Sequence, residues 1–261
     1  MRTALAFAVL FVFFQAPDVL GVRTLHSRGA QALLMGVFYV VALATGRWLG
    51  YRGFDAYRLE LRPGWWKLLA LTLALGLGAK AASLGAGLWL GSYRTVPLLH
   101  RPLGGELAVD LGIALVATFL PSAAEDILTR GLWRPLFRSA WRFVLFSSVA
   151  YLLNHVFRLA AGPGEWLLLL AFGFAYATAF WITGSLWAAV GLHWGWNLAN
   201  VLPLLFVNLQ VPDRNTSRAL SIGAHLVLAG LFLAARRWWS GRVAQPGQEA
   251  EAAQNASPAP R

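Results

Sequence analysis

The 261-residue chain contains no cysteine, which excludes disulfides, thiolate metal sites and cysteine nucleophiles. It is also poor in charge. Only 13% of its residues are Asp, Glu, Lys or Arg, where a soluble domain carries about a quarter. Lysine is nearly absent, with Lys67 and Lys80 the two examples, so the net charge of +11 comes almost wholly from arginine. In a soluble protein such a balance points to nucleic acid. Here the arginines fall between apolar runs, where basic residues set membrane orientation, so no nucleic-acid partner is expected. No stretch is long and polar enough to form a separate soluble domain.

What is abundant is apolar: 58% of residues are hydrophobic. A bilayer-crossing helix needs about 20 mostly apolar residues. About eight stretches meet that description, near 3–21, 30–50, 66–91, 106–128, 141–160, 165–183, 185–208 and 219–239. The expected fold is therefore an all-α polytopic bundle embedded in the lipid bilayer. The first stretch has one arginine before its apolar run, as signal peptides do. It lacks a clear A-x-A site, which favours a retained first helix. "TGS" at 183–185 predicts a tight turn between two antiparallel helices. Residues 51–66 are too charged to span and read as interfacial, with Trp65 and Trp66 at headgroup level. The tail 241–261 is rich in Ala, Pro and Gln and is expected to be disordered.

Basic residues suggest sidedness. Arg2, the cluster Arg47 to Lys67, the cluster Arg130 to Arg142, and Arg236, Arg237 and Arg242 would share one side. Arg23, Arg28, Arg94, Arg101, Arg158, Arg214 and Arg218 would share the other. The larger set places both termini in the cytoplasm.

Ionisable groups inside spans are costly and tend to mark function. Three sets share a four-residue spacing. In "SAAEDILTRGLW", Asp126 and Arg130 lie on one helix face in the favourable acid-first order, which leaves Glu125 free to point elsewhere. In "FSSVAYLLNHVFR", Tyr151 and His155 are predicted on one face. In "GSLWAAVGLHWGWNLAN", His193 and Asn197 are likewise paired. Each set has a plainer reading. The first suits a snorkelling helix end. The second suits a packing histidine, and the third a hydrogen bond that glues helices.

Together they are the components of a hydrolytic site. A shielded glutamate serves as general base or acid, and a histidine shares a water with it. A second histidine and a carboxamide can steady a developing oxyanion. Other polar residues are less informative. Glu106 and Asp110 open the fourth span, where acids favour a helix N-terminus. His225 lacks a spaced partner. Lys80 would either reach an interior carboxylate or snorkel. The glycines around it suit close helix packing.

The ordered set ED-x-x-x-R, Y-x-x-x-H and H-x-x-x-N resembles the CPBP family of intramembrane proteases, the CAAX proteases and bacteriocin-processing enzymes. That family's pattern is E-E-x-x-x-R, F-x-x-x-H and H-x-x-x-N. The resemblance covers residues 104–208 and is densest in "AEDILTRGLW" and "GSLWAAVGLHWGWN". It implies a catalytic helical core at 104–208, N-terminal helices with the interfacial segment at 1–103, a last helix at 209–240 and the tail at 241–261. It implies that Glu125 and His155 activate water. His193 and Asn197 would stabilise the oxyanion, Asp126 would complete the acidic motif, and Arg130 and Tyr151 would give support. Asp126 stands where the family has glutamate, and Tyr151 where it has phenylalanine.

The implied activity is endopeptidase cleavage of a membrane-anchored protein or peptide. The substrate would be a CAAX terminus, a leader peptide or, in a myxosortase-like branch, a C-terminal sorting anchor. The membrane would be the bacterial cytoplasmic (inner) membrane. Zinc at Glu125, His155 and His193 is the alternative to a metal-free mechanism, which is favoured. A non-catalytic scaffold of the same family and a proton-coupled transporter are the competing functions. No H-E-x-x-H zinc motif is present.

Overall fold

The computed structural model describes residues 1–98 and 102–240. The tail 241–261, as well as Arg101 and Arg242 of the basic sets, lies outside the described residues. The order is α1 (Arg2–Ala16), α2 (Arg28–Trp48), α3 (Trp65–Trp89), β1 (Arg94–Pro97), α4 (Gly105–Asp126), α5 (Ala140–Asn154), α6 (Pro163–Thr183), α7 (Leu186–Val201), β2 (Val207–Gln210) and α8 (Arg214–Ser240). The protein is an all-α membrane bundle with one small sheet. In that sheet β1 pairs antiparallel with β2, Arg94 opposite Gln210 and Pro97 opposite Val207.

Among the described residues, six helical stretches are long and apolar enough to cross a membrane, rather than about eight. The two that fall short are α5 and α7, with 15 and 16 residues. At 1.5 Å per residue they reach about 24 Å, less than the hydrocarbon core of about 30 Å. A 3₁₀ turn continues each of them, at Val156–Ala161 and Leu202–Leu205. The stretch expected to span 185–208 therefore ends as helix near Val201, and its last residues belong to β2. α7 is buried along most of its length, enclosed by α3, α4 and α6.

The most extensive pairing is α3 against α7. Lipid tails give helices no hydrophobic reason to associate, so close backbone approach must supply the contact. Gly191 and Gly195 form a G-x-x-x-G face that does so. A β-carbon on Gly191 would lie 2.8 Å from Leu69 O, and one on Gly195 would lie 2.9 Å from Leu77 N.

Residues 51–64 do not span. Their 3₁₀ turn, Gly53–Tyr57, tucks inward. Tyr57 is fully buried and donates its hydroxyl to Ala42 O at 2.8 Å, and burial raises its pKa. Leu186 N donates to Arg58 O, and Trp187 Nε1 to Glu60 O. Trp65 packs on Trp187 with ring centroids 4.7 Å apart, while Trp66 is exposed. The turn at 183–185 is as predicted, with Gly184 at φ 69° ending α6.

Candidate active site

α4 carries the acidic pair at its end. Pro121 lies inside the helix, and after Asp126 the chain widens into a π-helical turn, Ile127–Gly131. Leu132 N donates to Ile127 O, five residues back. Such π turns concentrate at functional sites, because they re-aim side chains within a continuous helix. Thr129 Oγ1 donates to Glu125 O at 2.7 Å, closing the backbone around the acid.

Asp126 and Arg130 form an ion pair, both side chains fully enclosed. Arg130 Nη1 also reaches Thr129 Oγ1 at 3.0 Å. Its guanidinium lies over the rings of Tyr151 and Tyr176, at 4.8 and 5.2 Å from their centroids. A buried guanidinium needs such partners, since an unpaired charge in this environment is prohibitive.

Glu125, in the same turn, is free of that pair and buried. Three groups from two other segments meet it. Asn154 Nδ2 donates to Oε1 at 2.9 Å. His155 Nδ1 lies 3.3 Å from the same oxygen, and His193 Nε2 lies 3.6 Å from Oε2. His193 Nδ1 is 3.6 Å from Asp126 Oδ1, so this imidazole spans both carboxylates. Its ring stacks on Tyr176, with centroids 4.9 Å apart and planes 21° from parallel.

His155 is not on a helix face shared with Tyr151, as the spacing predicts. α5 ends at Asn154, and His155 is the residue after it, at φ −92°, ψ 46°. Its Nδ1 hydrogen nevertheless points back to Tyr151 O at 2.9 Å. A carbonyl can only accept, so Nδ1 carries the hydrogen and Nε2 is the basic nitrogen of the neutral ring. The Tyr151 ring lies beside it at a tilt, with ring centroids 4.7 Å apart.

Asn197 lies one turn beyond His193, half-buried, and donates through Nδ2 to Ser122 Oγ at 3.0 Å. Trp194 Nε1 donates to Thr118 Oγ1 at 3.1 Å. α7 thus packs against α4, with His193 beside Glu125 and Asn197 beside Ser122. The predicted residues Glu125, His155 and His193 are brought together. Asn197 is adjacent but holds Ser122 rather than Glu125.

The residues do not fit zinc. Among the described residues, no three or more His, Cys, Asp or Glu side chains are grouped to hold a metal ion. Glu125 Oε1 already accepts from Asn154, and Arg130 neutralises Asp126.

Several site residues escaped the sequence reading. Asn154 is the closest partner of Glu125, and its signal was a polar pair, Asn-His, in an apolar run. Tyr176 forms the floor under His193. His225, which seemed to lack a partner, is fully buried. It donates from Nδ1 to Ser221 O at 2.8 Å and accepts at Nε2 from the Tyr176 hydroxyl at 3.0 Å. Lys80 neither reaches a carboxylate nor snorkels. It is buried, 3.4 Å from the Tyr93 hydroxyl and 5.0 Å from the Trp196 ring centroid.

Residues 107–199 match the family described as type II CAAX prenyl endopeptidase, Rce1-like. Over those residues the chain is similar to the CAAX protease family. The matched stretch contains all seven motif residues, from Glu125 to Asn197, and agrees with the CPBP-type motifs read from the sequence. No curated protein matches the chain. The six apolar helical stretches and this similarity support an integral membrane protein.

Proposed function

We propose that the chain is an intramembrane endopeptidase in which Glu125 and His155 activate a water for attack on a peptide bond of a membrane-associated substrate. The observation that carries this reading is a buried carboxylate flanked by two imidazoles, at 3.3 and 3.6 Å, on three separate segments. Burial shields Glu125 from bulk water and strengthens every electrostatic interaction around it.

Glu125 takes a proton from water as the oxygen attacks the scissile carbonyl carbon, and returns that proton to the amine as the C–N bond breaks. His155 orients the water through Nε2, with its Nδ1–H fixed by Tyr151 O. His193 and the second amide hydrogen of Asn197 supply donors to the oxyanion. Asp126, neutralised by Arg130, lies behind the His193 ring, 3.6 Å from its Nδ1. No covalent intermediate and no metal step is required.

The substrate class named by the matched family is a prenylated CAAX terminus. The sorting anchors of a myxosortase-like branch are the alternative. We place it in a bacterial cytoplasmic membrane, and the basic residues support an orientation with both termini in the cytoplasm.

The test is cleavage by the protein reconstituted in liposomes, with an internally quenched prenylated CAAX peptide and a membrane-anchored sorting-signal peptide run in parallel. Glu125→Gln and His155→Ala are each expected to lower kcat about 10²–10⁴-fold, the usual worth of a positioned acid–base group. Wild-type rates in both variants would sink the assignment and leave a scaffold. Cleavage of the second peptide alone would move the substrate class to sorting anchors.

A further inference from the structure

We infer that Gln15, on α1 and outside the family-matched region, is a positioning residue that fixes the orientation of Glu125 through Asn154. The inference rests on the glutamate-based reading above and adds a segment to it. Residues 4–14 of α1 are all apolar, so Gln15 is a lone carboxamide in a membrane helix. Such a group is retained where it finds a partner in the bundle interior. Pro17 follows two residues later and opens a π-helical stretch, Pro17–Thr24, so the helix changes geometry just past Gln15.

Gln15 Nε2 donates to both oxygens of Asn154, 3.2 Å to Oδ1 and 3.3 Å to the main-chain carbonyl. Two acceptors define that end of Gln15 as its nitrogen. Asn154 Oδ1 is thereby occupied as an acceptor, which turns Nδ2 toward Glu125, where it donates to Oε1 at 2.9 Å. The polarity is set along the whole chain: Gln15 donates to Asn154, and Asn154 donates to Glu125. A flipped Asn154 would set an oxygen against a carboxylate oxygen and a nitrogen against a nitrogen. Asn154 is buried, so no bulk water replaces a lost partner. With Oε1 held, Oε2 is the oxygen turned toward His193 and available to a water. Because His155 follows Asn154 directly, the same contact ties α1 to the residue that carries the second half of the proposed pair.

The experiment uses the full chain in liposomes. Gln15→Met keeps the length and removes the donor, and Gln15→Leu supplies a second apolar side chain there. Gln15→Glu reverses the polarity. Two readouts are taken.

The first is the Glu125 carboxyl band in infrared spectra with ¹³C-glutamate, identified as the band lost in Glu125→Gln. It is expected to shift in Asn154→Ala and in Gln15→Met, with no further shift when both are combined. A Gln15→Met band that coincides with the wild type overturns the inference without reference to any substrate.

The second is the steady-state rate on whichever peptide the wild type cleaves. Gln15→Met is expected to lower kcat about tenfold, the size of one hydrogen bond, with KM within about twofold. Gln15→Glu should fall further. In an Asn154→Ala background, Gln15→Met should cost nothing more, whereas a purely structural role gives independent, additive losses. An inactive Glu125→Gln beside a wild-type Gln15→Met removes this inference alone. An active Glu125→Gln removes the hydrolytic reading itself.

Discussion

Arg130 is among the most expensive residues in the chain to bury, and Asp126 with two aromatic rings makes it tolerable. Removing one member of a buried pair strands the other, at about 3–5 kcal/mol. Arg130→Met is therefore expected to lower thermal stability in detergent far more than Asp126→Asn/Arg130→Met, in which no charge is stranded. Equal losses in the two would show that the pair is not what the residue needs. Asn197 carries a separable expectation. If its second hydrogen meets the oxyanion, Asn197→Ala lowers kcat about 10²–10³-fold. Ser122→Ala, which frees the amide without removing it, should cost much less. At this scale the sequence was informative about residue types and less so about partners. The spacing of Asp126 and Arg130 fixed their pairing, since both lie on one helix. Asn154 and Gln15 were hidden because their partnership crosses 139 residues of chain.

Among the elements, the segment after α5 decides where His155 lies. The helix stops at Asn154, a 3₁₀ turn follows, and Gly162 at φ 86° redirects the chain into Pro163 and α6. Glu165, buried at the start of α6, holds this turn in place. It pairs with Arg158 from the turn and accepts from Arg218 Nε of α8 at 3.1 Å. Arg158 N in turn donates to His155 O at 2.8 Å. Glu165→Gln should therefore loosen the turn, and amide exchange over residues 156–161 should quicken while that of α7 stays unchanged. Equal exchange in both proteins would mean that packing alone fixes the turn. The apolar run 141–160 gave the existence of this helix correctly. Its end was not legible, because the residues that stop it obtain their anchors from α6 and α8.

For the molecule as a whole, orientation is open to direct test. The chain has no cysteine, so single cysteines report sidedness without background. Arg94→Cys and Arg52→Cys are expected to label from opposite faces of the membrane, with Arg52 on the cytoplasmic side in intact cells. Labelling of both from one face would reverse the reading of the basic residues. The bundle also explains why α7 is short. It is enclosed by its neighbours rather than by lipid, so its length answers to α3 and α4. The G-x-x-x-G face toward α3 brings its backbone close enough to present His193 to α4.

By itself the sequence determined the class of the protein and named part of its candidate site. Scarce charge and long apolar runs admit a membrane helical bundle, since lipid offers no partner for exposed backbone groups. Four-residue spacings reveal which side chains share a helix face, because helix geometry is local. The tertiary structure decided what those faces meet. That Glu125 faces two imidazoles, that Asn197 holds Ser122, and that Gln15 reaches Asn154 all depend on how separate helices pack. Those contacts follow from glycine faces, helix ends and buried polar partners drawn from segments far apart in the chain, which no local pattern records.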